Sequence, residues 1–597
     1  MSQNSPTGCA RIFLLRGIKM NTSQMRAVIG VMLGVLAACL ILPWLLSSRE
    51  EAPPQTRMPL SFNAANAHAL AKEFVTRFPV RVLGSLESRP STGFLKDHLT
   101  RLGYAVDFAH FDARISGRTK VGRNVLAYRQ GQIPETLVLA AHFDTARTTV
   151  QGAMDNGAAV GVLLELARIF SDAPTHRSLL LVFTDGEEWG MLGARDLAAG
   201  YAGRNRVAAV LSLDNVAVGE LEAFCLGETG QFKGFTPPWL RVLARQAAEA
   251  QGLPVRAMSP LREHLERALL ISWADQGPFL AAGIPAVNLG SESTDRIRQK
   301  AVYHSPDDVI ENIKEASIEK YGLAAESIAR ALDQLPSIPR ESSGAFRIRD
   351  SRFVWPAAIE LLHILAFLPL PVVFYFHFKN RPKQGTLILV GRELLACAAT
   401  VLPFLILFAG FRLGLAMRLI PLFSAYPATL KDPLLNAPRW ELLGGILGVA
   451  AFLAIACFVV AKFSFLNWPK PLFHASKLAL LGLLIITIAL ALLHNSYWAT
   501  AFLLLPAWVW ALVGCSRAWG KRIGNCALIL AAGIPYYAAL GIYASKLQMG
   551  WNFVWYQVLA LTTGMFTPQG YFLAIAAVTL AIRFIVIQTH RKAADTR

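Results

Sequence analysis

Charge is scarce in this chain: Asp, Glu, Lys and Arg make up 16% of 597 residues, while apolar side chains make up 54%. A sequence this long and this apolar exceeds one domain and cannot be held entirely in water. Cysteine is scarcer still. Of seven, only Cys225 falls between positions 48 and 352, which excludes an internal disulfide from that stretch even in an oxidising compartment. There is no P-loop, no glycine-rich dinucleotide fingerprint, no zinc-finger spacing and no RNA-binding aromatic signature, so nucleotides and nucleic acids are not expected partners. The motif Asn-x-Ser/Thr occurs only at Asn21-Thr22-Ser23, on the expected inner side, and carries no weight.

The apolar excess is concentrated. Val28 to Leu46 is a charge-free stretch of spanning length, preceded by Arg11, Arg16, Lys19 and Arg26 and followed by Arg49, Glu50 and Glu51. Its long basic lead and the lack of a small-residue cleavage site favour a retained anchor over a cleaved signal peptide. After Pro339, spanning candidates recur near 354–376, 393–416, 441–461, 478–494, 497–515, 524–545 and 570–589. The anchor and these seven together put both termini on one side. Lys379, Arg381 and Lys383, then Lys462, Lys470 and Lys477, then Arg517, Lys521 and Arg522, then Arg591, Lys592 and Arg597 all fall on the side of the basic N-terminus. The positive-inside bias makes that side cytoplasmic and accounts for much of the net charge of +18, since such loops also meet anionic lipid. The loop 417–440, expected outside, dissents with Arg418, Lys431 and Arg439. Residues 549–566, rich in aromatics, suit an interfacial or re-entrant segment. The expected division is a cytoplasmic N-terminus (1–27), an anchor (28–47), an extracytoplasmic domain (48–352), a membrane domain of about seven helices (353–590) and a cytoplasmic tail (591–597).

Polar groups of one chemical kind stand at the ends of short apolar runs in the outer domain. Thr136 to Ala141 leads to His142-Phe143-Asp144, Leu179 to Phe183 leads to Thr184-Asp185-Gly186-Glu187-Glu188, and Ala208 to Leu213 leads to Asp214. Asp155 lies in the loop Gly152-Ala153-Met154-Asp155-Asn156-Gly157, and His304 follows later. Apolar runs alternating with amphipathic stretches (Ala158 to Phe170, Met191 to Ala199, Leu240 to Gln251) predict an α/β sheet flanked by helices. Ligand sites in open α/β sheets lie beyond the carboxyl ends of the strands, so these residues can converge there.

Their chemistry suits metal. Zinc takes imidazole nitrogen and carboxylate oxygen, and a catalytic site leaves a position for water. Two metals about 3.5–4 Å apart need a bridging carboxylate and together lower the pKa of a shared water and polarise a carbonyl. A carboxylate beside the metals takes the water's proton, and Glu187 next to Glu188 fits that division of labour. Asp144 can accept the other ring N–H of His142 and fix its tautomer.

At this point the chain resembles the co-catalytic di-zinc exopeptidases, the peptidase family M28 that includes aminopeptidase Y, bacterial leucyl aminopeptidases and the endoplasmic-reticulum metallopeptidases. The resemblance covers roughly positions 60 to 335. It rests on the stretches above in their order, with Ala274-Asp275-Gln276-Gly277-Pro278-Phe279, Gly283-Ile284-Pro285 and Tyr303-His304-Ser305-Pro306-Asp307. It implies an α/β zinc-exopeptidase domain with a central mixed sheet, joined to an all-α multi-span transmembrane domain as in the endoplasmic-reticulum relatives. It implies two Zn2+ per chain, with Asp155 bridging, His142 and Asp214 completing one metal, Glu188 and His304 the other, and Glu187 as general base. Asp275 suits either a second layer around the metals, a substrate contact, or the cap of a helix beginning near Pro278.

The expectation is a membrane-anchored zinc exopeptidase, an aminopeptidase first, acting on peptides outside the cytoplasm; the oligomeric state is not legible. A bacterial inner membrane with a periplasmic site is expected, with an endoplasmic-reticulum lumen as the alternative. Other activities stay open at this point. A glutaminyl cyclase would use one zinc at positions like Asp155, Glu188 and His304; a carboxypeptidase would add a cation, for which Arg195, Arg262 and Arg267 are candidates; and the outer domain could be a receptor module. In the membrane half, Glu360 and His363 form the one close ionisable pair, whereas Arg392, Arg412 and Arg583 read as boundary charges that snorkel.

Overall fold

The computed structural model describes residues 20–51, 59–86, 88–115, 118–339, 344–380, 386–417, 448, 473–514, 518–546, 549–553, 557 and 568–589. Its outer part is built on an eight-stranded mixed sheet. In chain order the strands are β2 (Ala105–Ile115), β3 (Arg118–Arg129), β4 (Ile133–His142), β5 (Arg177–Thr184), β6 (Val207–Leu213), β7 (Leu221–Gly227), β8 (Val255–Arg256) and β9 (Ala286–Ser293). They lie in the order β2-β3-β5-β4-β6-β9-β7-β8, and the central four, β5, β4, β6 and β9, are parallel. All eight residues of β5 are buried, as are Thr136 to His142 of β4, because a parallel sheet is covered on both faces and its strands read as unbroken apolar runs. The pleat then divides each run: Leu137, Leu139 and Ala141 enter the larger core, Val138 and Ala140 the smaller.

Helices α2 (Ala64–Arg77), α4 (Ala158–Ser171), α6 (Pro238–Glu249) and α10 (Glu315–Asp333) fill the larger side, and α3 (Ser88–Arg101) adds Leu95 and Leu99. Helices α5 (Leu192–Gly200) and α8 (Gln276–Ala281) fill the smaller. The three strands and three helices expected from the sequence lie within a few residues of β4, β5, β6, α4, α5 and α6. Helix α7 (Pro260–Leu269) lies between the sheet and the membrane half, and α9 (Arg296–Val302) precedes His304.

A second, three-stranded sheet joins the two halves. β1 (Ser47–Arg49) pairs antiparallel with β11 (Arg352–Val354), which pairs with β10 (Phe346–Arg349). The chain leaving α1 (Thr22–Leu45) therefore lies against the chain entering the C-terminal helices. Among the described residues, five helices are long and apolar enough to cross a membrane, or six if one bent pair is counted.

The membrane helices differ in detail from the expected spans. The anchor helix begins at Thr22, six residues early, because Asn21 and Gln24 form a capping box. The stretch expected at 354–376 is one candidate span, Pro356–Lys379, made of two helices, α11 (Pro356–Ala366) and α12 (Pro369–Lys379), since Pro369 supplies no N–H at the joint. α13 runs from Thr386 to Ala416. The spans expected at 478–494 and 497–515 form one element, α14 (Phe473–Leu512), divided at Asn495 by non-helical angles. Forty residues of straight helix would reach about 60 Å, twice a hydrocarbon core, and the break at Asn495 divides that length into two parts. The span expected at 524–545 is α15 (Trp519–Ala531) and α16 (Ile534–Lys546), bent by 48°, and α17 covers Pro568–Thr589. The expected span 441–461 and the loop 417–440 lie outside the described residues apart from Met417 and position 448, as do most of 549–566, and 1–19 and 591–597.

Two sequence expectations in this half are corrected. Glu360 and His363 do not act as a pair: Glu360 is exposed, while His363 is buried with Nδ1 2.9 Å from the Ser496 hydroxyl. Arg583 does not snorkel. It pairs with the buried Glu393 on α13 at 2.6 Å, and Ser476 donates to the other Glu393 oxygen at 2.8 Å. A neighbouring carboxylate satisfies the guanidinium where water is absent.

Candidate metal centre

Each candidate ligand leaves the sheet, or a turn beside it, at the carboxyl ends of the parallel strands. His142 closes β4, Glu187 and Glu188 follow β5, and Asp214 follows β6. Asp155 sits in the tight turn Ala153–Gly157 before α4, which Gly152 opens at φ +56°. A Cβ there would meet Thr145 Cγ2 at 2.5 Å and the Asp155 carbonyl at 2.8 Å, so only glycine fits. His304 follows α9 with φ +52°, a conformation uncommon for a side chain of its size.

The five converge into two groups of three that share Asp155: His142, Asp155 and Asp214, and Asp155, Glu188 and His304. His142 Nε2 is 3.0 Å from Asp155 Oδ1 and 3.4 Å from Asp214 Oδ1. His304 Nε2 is 3.0 Å from Asp155 Oδ2 and 3.1 Å from Glu188 Oε2. One carboxylate thus offers one oxygen to each group. All five side chains are buried. Burial favours neutral imidazoles, but the carboxylates win: His142 is raised well above its ordinary value and His304 is raised to about 10. Burial alone would raise Asp155, yet its bonds to both histidines hold it below the usual carboxylate range. Imidazole nitrogens and carboxylate oxygens are the donors that zinc accepts, and a cation held among them would balance the carboxylate charge.

Glu187 lies in neither group. Its side chain is buried, and Oε1 has no hydrogen-bond partner among the described residues. Burial, and the neighbouring Asp214, Glu188 and Asp275, push its carboxyl well above the ordinary range although His142 opposes them. Asp144 faces the ring nitrogen Nδ1 of His142 and also holds the backbone of the glutamate pair. The His142 ring Nδ1 lies 3.2 Å from the Asp144 carbonyl and 3.5 Å from its carboxylate, which also accepts the backbone N–H groups of Glu187 at 3.0 Å and Glu188 at 3.3 Å. Asp144 therefore touches both the imidazole and the glutamate pair. Asp275 makes no side-chain cap to α8; it accepts from the Thr184 hydroxyl, and burial raises it to about 7.

Two positioning residues were not read from the sequence. Arg81, fully buried, donates Nε to the Phe143 carbonyl at 2.6 Å, Nη1 to Gln151 at 2.8 Å and Nη2 to Gly152 at 3.3 Å. One guanidinium so holds the His142 loop and the Asp155 turn together; its signal was an arginine inside the apolar run Phe78 to Leu83. Asp308 accepts from the N–H groups of Met154 at 2.6 Å and Asp155 at 3.3 Å. The resemblance motif ended one residue early, at the exposed Asp307.

A cleft of about 430 Å³ opens beside the ligands, bordered by Asp214, His304, Trp273, Arg262 and Glu266. Of the three candidate carboxylate-binding cations only Arg262 borders it. Arg267 is buried on Glu263 and the Ala345 carbonyl, and Arg195 lines a different surface pocket.

Residues 124–329 match the family model described as Peptidase family M28. The chain is 30% identical over 208 residues to the alkaline phosphatase isozyme conversion protein of Escherichia coli, covering 31% of this chain and 59% of that protein. It is 25% identical over 196 residues to aminopeptidase YwaD of Bacillus subtilis, covering 32% of this chain and 39% of the relative. It thus spans between two fifths and three fifths of the length of these relatives. Among solved structures, a glutaminyl cyclase from an Acidobacteriales bacterium covers 48% of this chain and 99% of its own at 23% identity, with a TM-score of 0.39.

Proposed function

We infer, for a chain that carries a Peptidase family M28 domain over residues 124–329, a membrane-anchored di-zinc exopeptidase that removes N-terminal residues from peptides. The observation that carries this reading is Asp155, whose two oxygens face two separate histidines, each with a further carboxylate. A single-zinc cyclase would need only one of the two groups. The Bacillus subtilis relative, an aminopeptidase by name, supports the choice among exopeptidases, while Arg262, Arg296 and Lys300 at the cleft border supply the cations that a carboxypeptidase would need.

His142 and Asp214 would hold one zinc, Glu188 and His304 the other, with Asp155 between them. When bound, the pair supplies an activated water and polarises the scissile carbonyl. The chain's own residues do the rest. Glu187, with Oε1 unpartnered and a carboxyl held well above the ordinary range, accepts the proton of the attacking water and returns it to the leaving amine. Asp144 holds the Glu187 backbone, so the carboxylate meets the water at a fixed position. Burial of the five ligand side chains strengthens the charge interactions among them.

The full chain, purified in detergent, should contain two zinc ions and release free amino acids from amino-acyl substrates in a chelator-sensitive way. Glu187→Gln should keep both zincs and lose about 10²–10⁴ in kcat, the contribution of a positioned base. One zinc with cyclisation of N-terminal glutamine would replace this reading, and normal turnover by Glu187→Gln would remove the base assignment.

A further inference from the structure

Helix α7 has two faces with different duties. Arg262 and Glu266 border the metal cleft, as do Ser272, Trp273 and Gln276 just after the helix. Leu265, Ala268 and Leu269 lie on an adjoining face and pack on Phe502, Trp498 and Ala539 of the membrane helices. A ten-residue helix is too short to hold itself by propensity, so its position comes from what it touches.

On the membrane side the contact is specific. Asn495, the non-helical residue that divides α14, donates Nδ2 to the carbonyls of Arg267 at 3.0 Å and Ala268 at 3.2 Å. These belong to the last turn of α7, whose carbonyls have no partner within the helix. Its Oδ1 meanwhile accepts from the N–H groups of Tyr497 at 3.0 Å and Trp498 at 3.1 Å, capping the second half of α14. One amide therefore ends α7 and starts the second half of α14. The Thr500 hydroxyl adds a contact to His264 Nε2 at 3.1 Å. Beyond α7 the chain turns through Leu270 (φ +49°) to Trp273, whose indole stacks on Tyr543 of α16 with ring centroids 6.4 Å apart and planes 14° apart.

We propose that the membrane half forms part of the substrate site, with Asn495 and Tyr543 as positioning residues that fix the cleft wall 262–276 and so set how tightly the substrate's side chain is held. This rests on the peptidase reading above. Neither residue borders the metals, so the wall governs binding and not chemistry. Loosening it is felt most by substrates whose side chains reach Trp273, and least by small ones.

The test uses the full chain in detergent, with Asn495→Ala, Tyr543→Ala and Tyr543→Phe compared on alanyl and on large apolar amino-acyl substrates. The two alanine variants should raise KM for the large substrates about tenfold, leave kcat within twofold and keep the zinc content. Tyr543→Phe, which retains the stacking ring, should match the parent. Unchanged KM in both alanine variants would overturn the proposal and leave the membrane half an anchor. A fall in kcat together with loss of zinc would assign Asn495 to folding and overturn it as well. A parent chain that hydrolyses none of the substrates would instead sink the peptidase reading, and this proposal with it.

Discussion

The buried histidines carry the sharpest consequence at the scale of single residues. Without metal, His304 is raised to about 10 and His142 well above 6.5, against the burial that would lower both, because carboxylates surround them. A group with a raised folded pKa contributes stability fully below its unfolded value, near 6.5, and loses it as pH rises through the folded one. The melting temperature of the metal-free protein should therefore fall between pH 7 and pH 10, while the zinc-loaded protein, whose imidazoles are already deprotonated, should change little over that range. Zinc uptake near pH 8 should release about two protons per chain, one per imidazole, readable in weakly buffered solution. Uptake without proton release would mean that the imidazoles are neutral in the empty site. Arg81 belongs to the same scale: its hydrogen bonds run to carbonyls of loops far apart in sequence, so nothing in its local sequence shows what it holds.

At the scale of elements, α7 is fixed on its inner side by a buried charge cluster. Arg241 Nη2 pairs with Glu263 at 2.6 Å and Glu228 at 2.9 Å, and Arg267 Nη2 pairs with Glu263 at 2.9 Å, all with little exposure. Arg347 of β10 approaches the same two glutamates at 3.6 and 3.8 Å, tying in the small sheet. Burial would raise Glu263, but Arg241 and Arg267 hold it at about 2. Its contribution is thus present above pH 4.5 and lost as pH falls toward 2. Glu263→Ala leaves two guanidiniums buried without their partner and should cost about 3–5 kcal/mol, read as a lower midpoint in denaturant or heat. A variant as stable as the parent would mean the arginines find water or other acceptors. Elements were legible where periodicity was strong: β4, β5 and β6 follow from unbroken apolar runs, whereas the division of 354–376 at Pro369 and of 519–546 at its bend depends on local backbone that an apolar window averages away.

At the scale of the whole molecule, the two halves are coupled through β1–β11 pairing and the α7 junction. Asn495 and Tyr543 meet the catalytic half, while Glu393, Ser476 and Arg583 meet one another elsewhere in the helical bundle. An alternating topology, with anchor and C-terminal helices crossing in turn, requires these ends on opposite sides, and we propose it with the catalytic domain outside the cytoplasm. Residues 48–352 cut free of the helices would expose Leu265, Ala268 and Leu269 and lose both Asn495 bonds to α7. Apolar burial on the order of 3 kcal/mol would vanish. The fragment should melt below the full chain and aggregate at lower concentration, as light scattering during a thermal ramp would record. Equal melting temperatures would mean that the junction adds nothing.

The sequence by itself determined the ligand types, their order and the strand ends that carry them, because zinc chemistry restricts the donors to imidazole and carboxylate and an α/β sheet presents loops at one edge. It also determined which stretches are apolar enough for a membrane, since that depends on composition over a window. The tertiary structure alone decided that Asp155 divides its oxygens between two histidines and that Asp144 serves the Glu187 backbone. It decided as well that Asp308 and Arg81 hold the metal-site loops and that a membrane-helix asparagine caps the helix beside the cleft. Each of these is a contact between residues far apart in the chain, and a hydrogen bond of that kind leaves no period or motif in the sequence that could announce it.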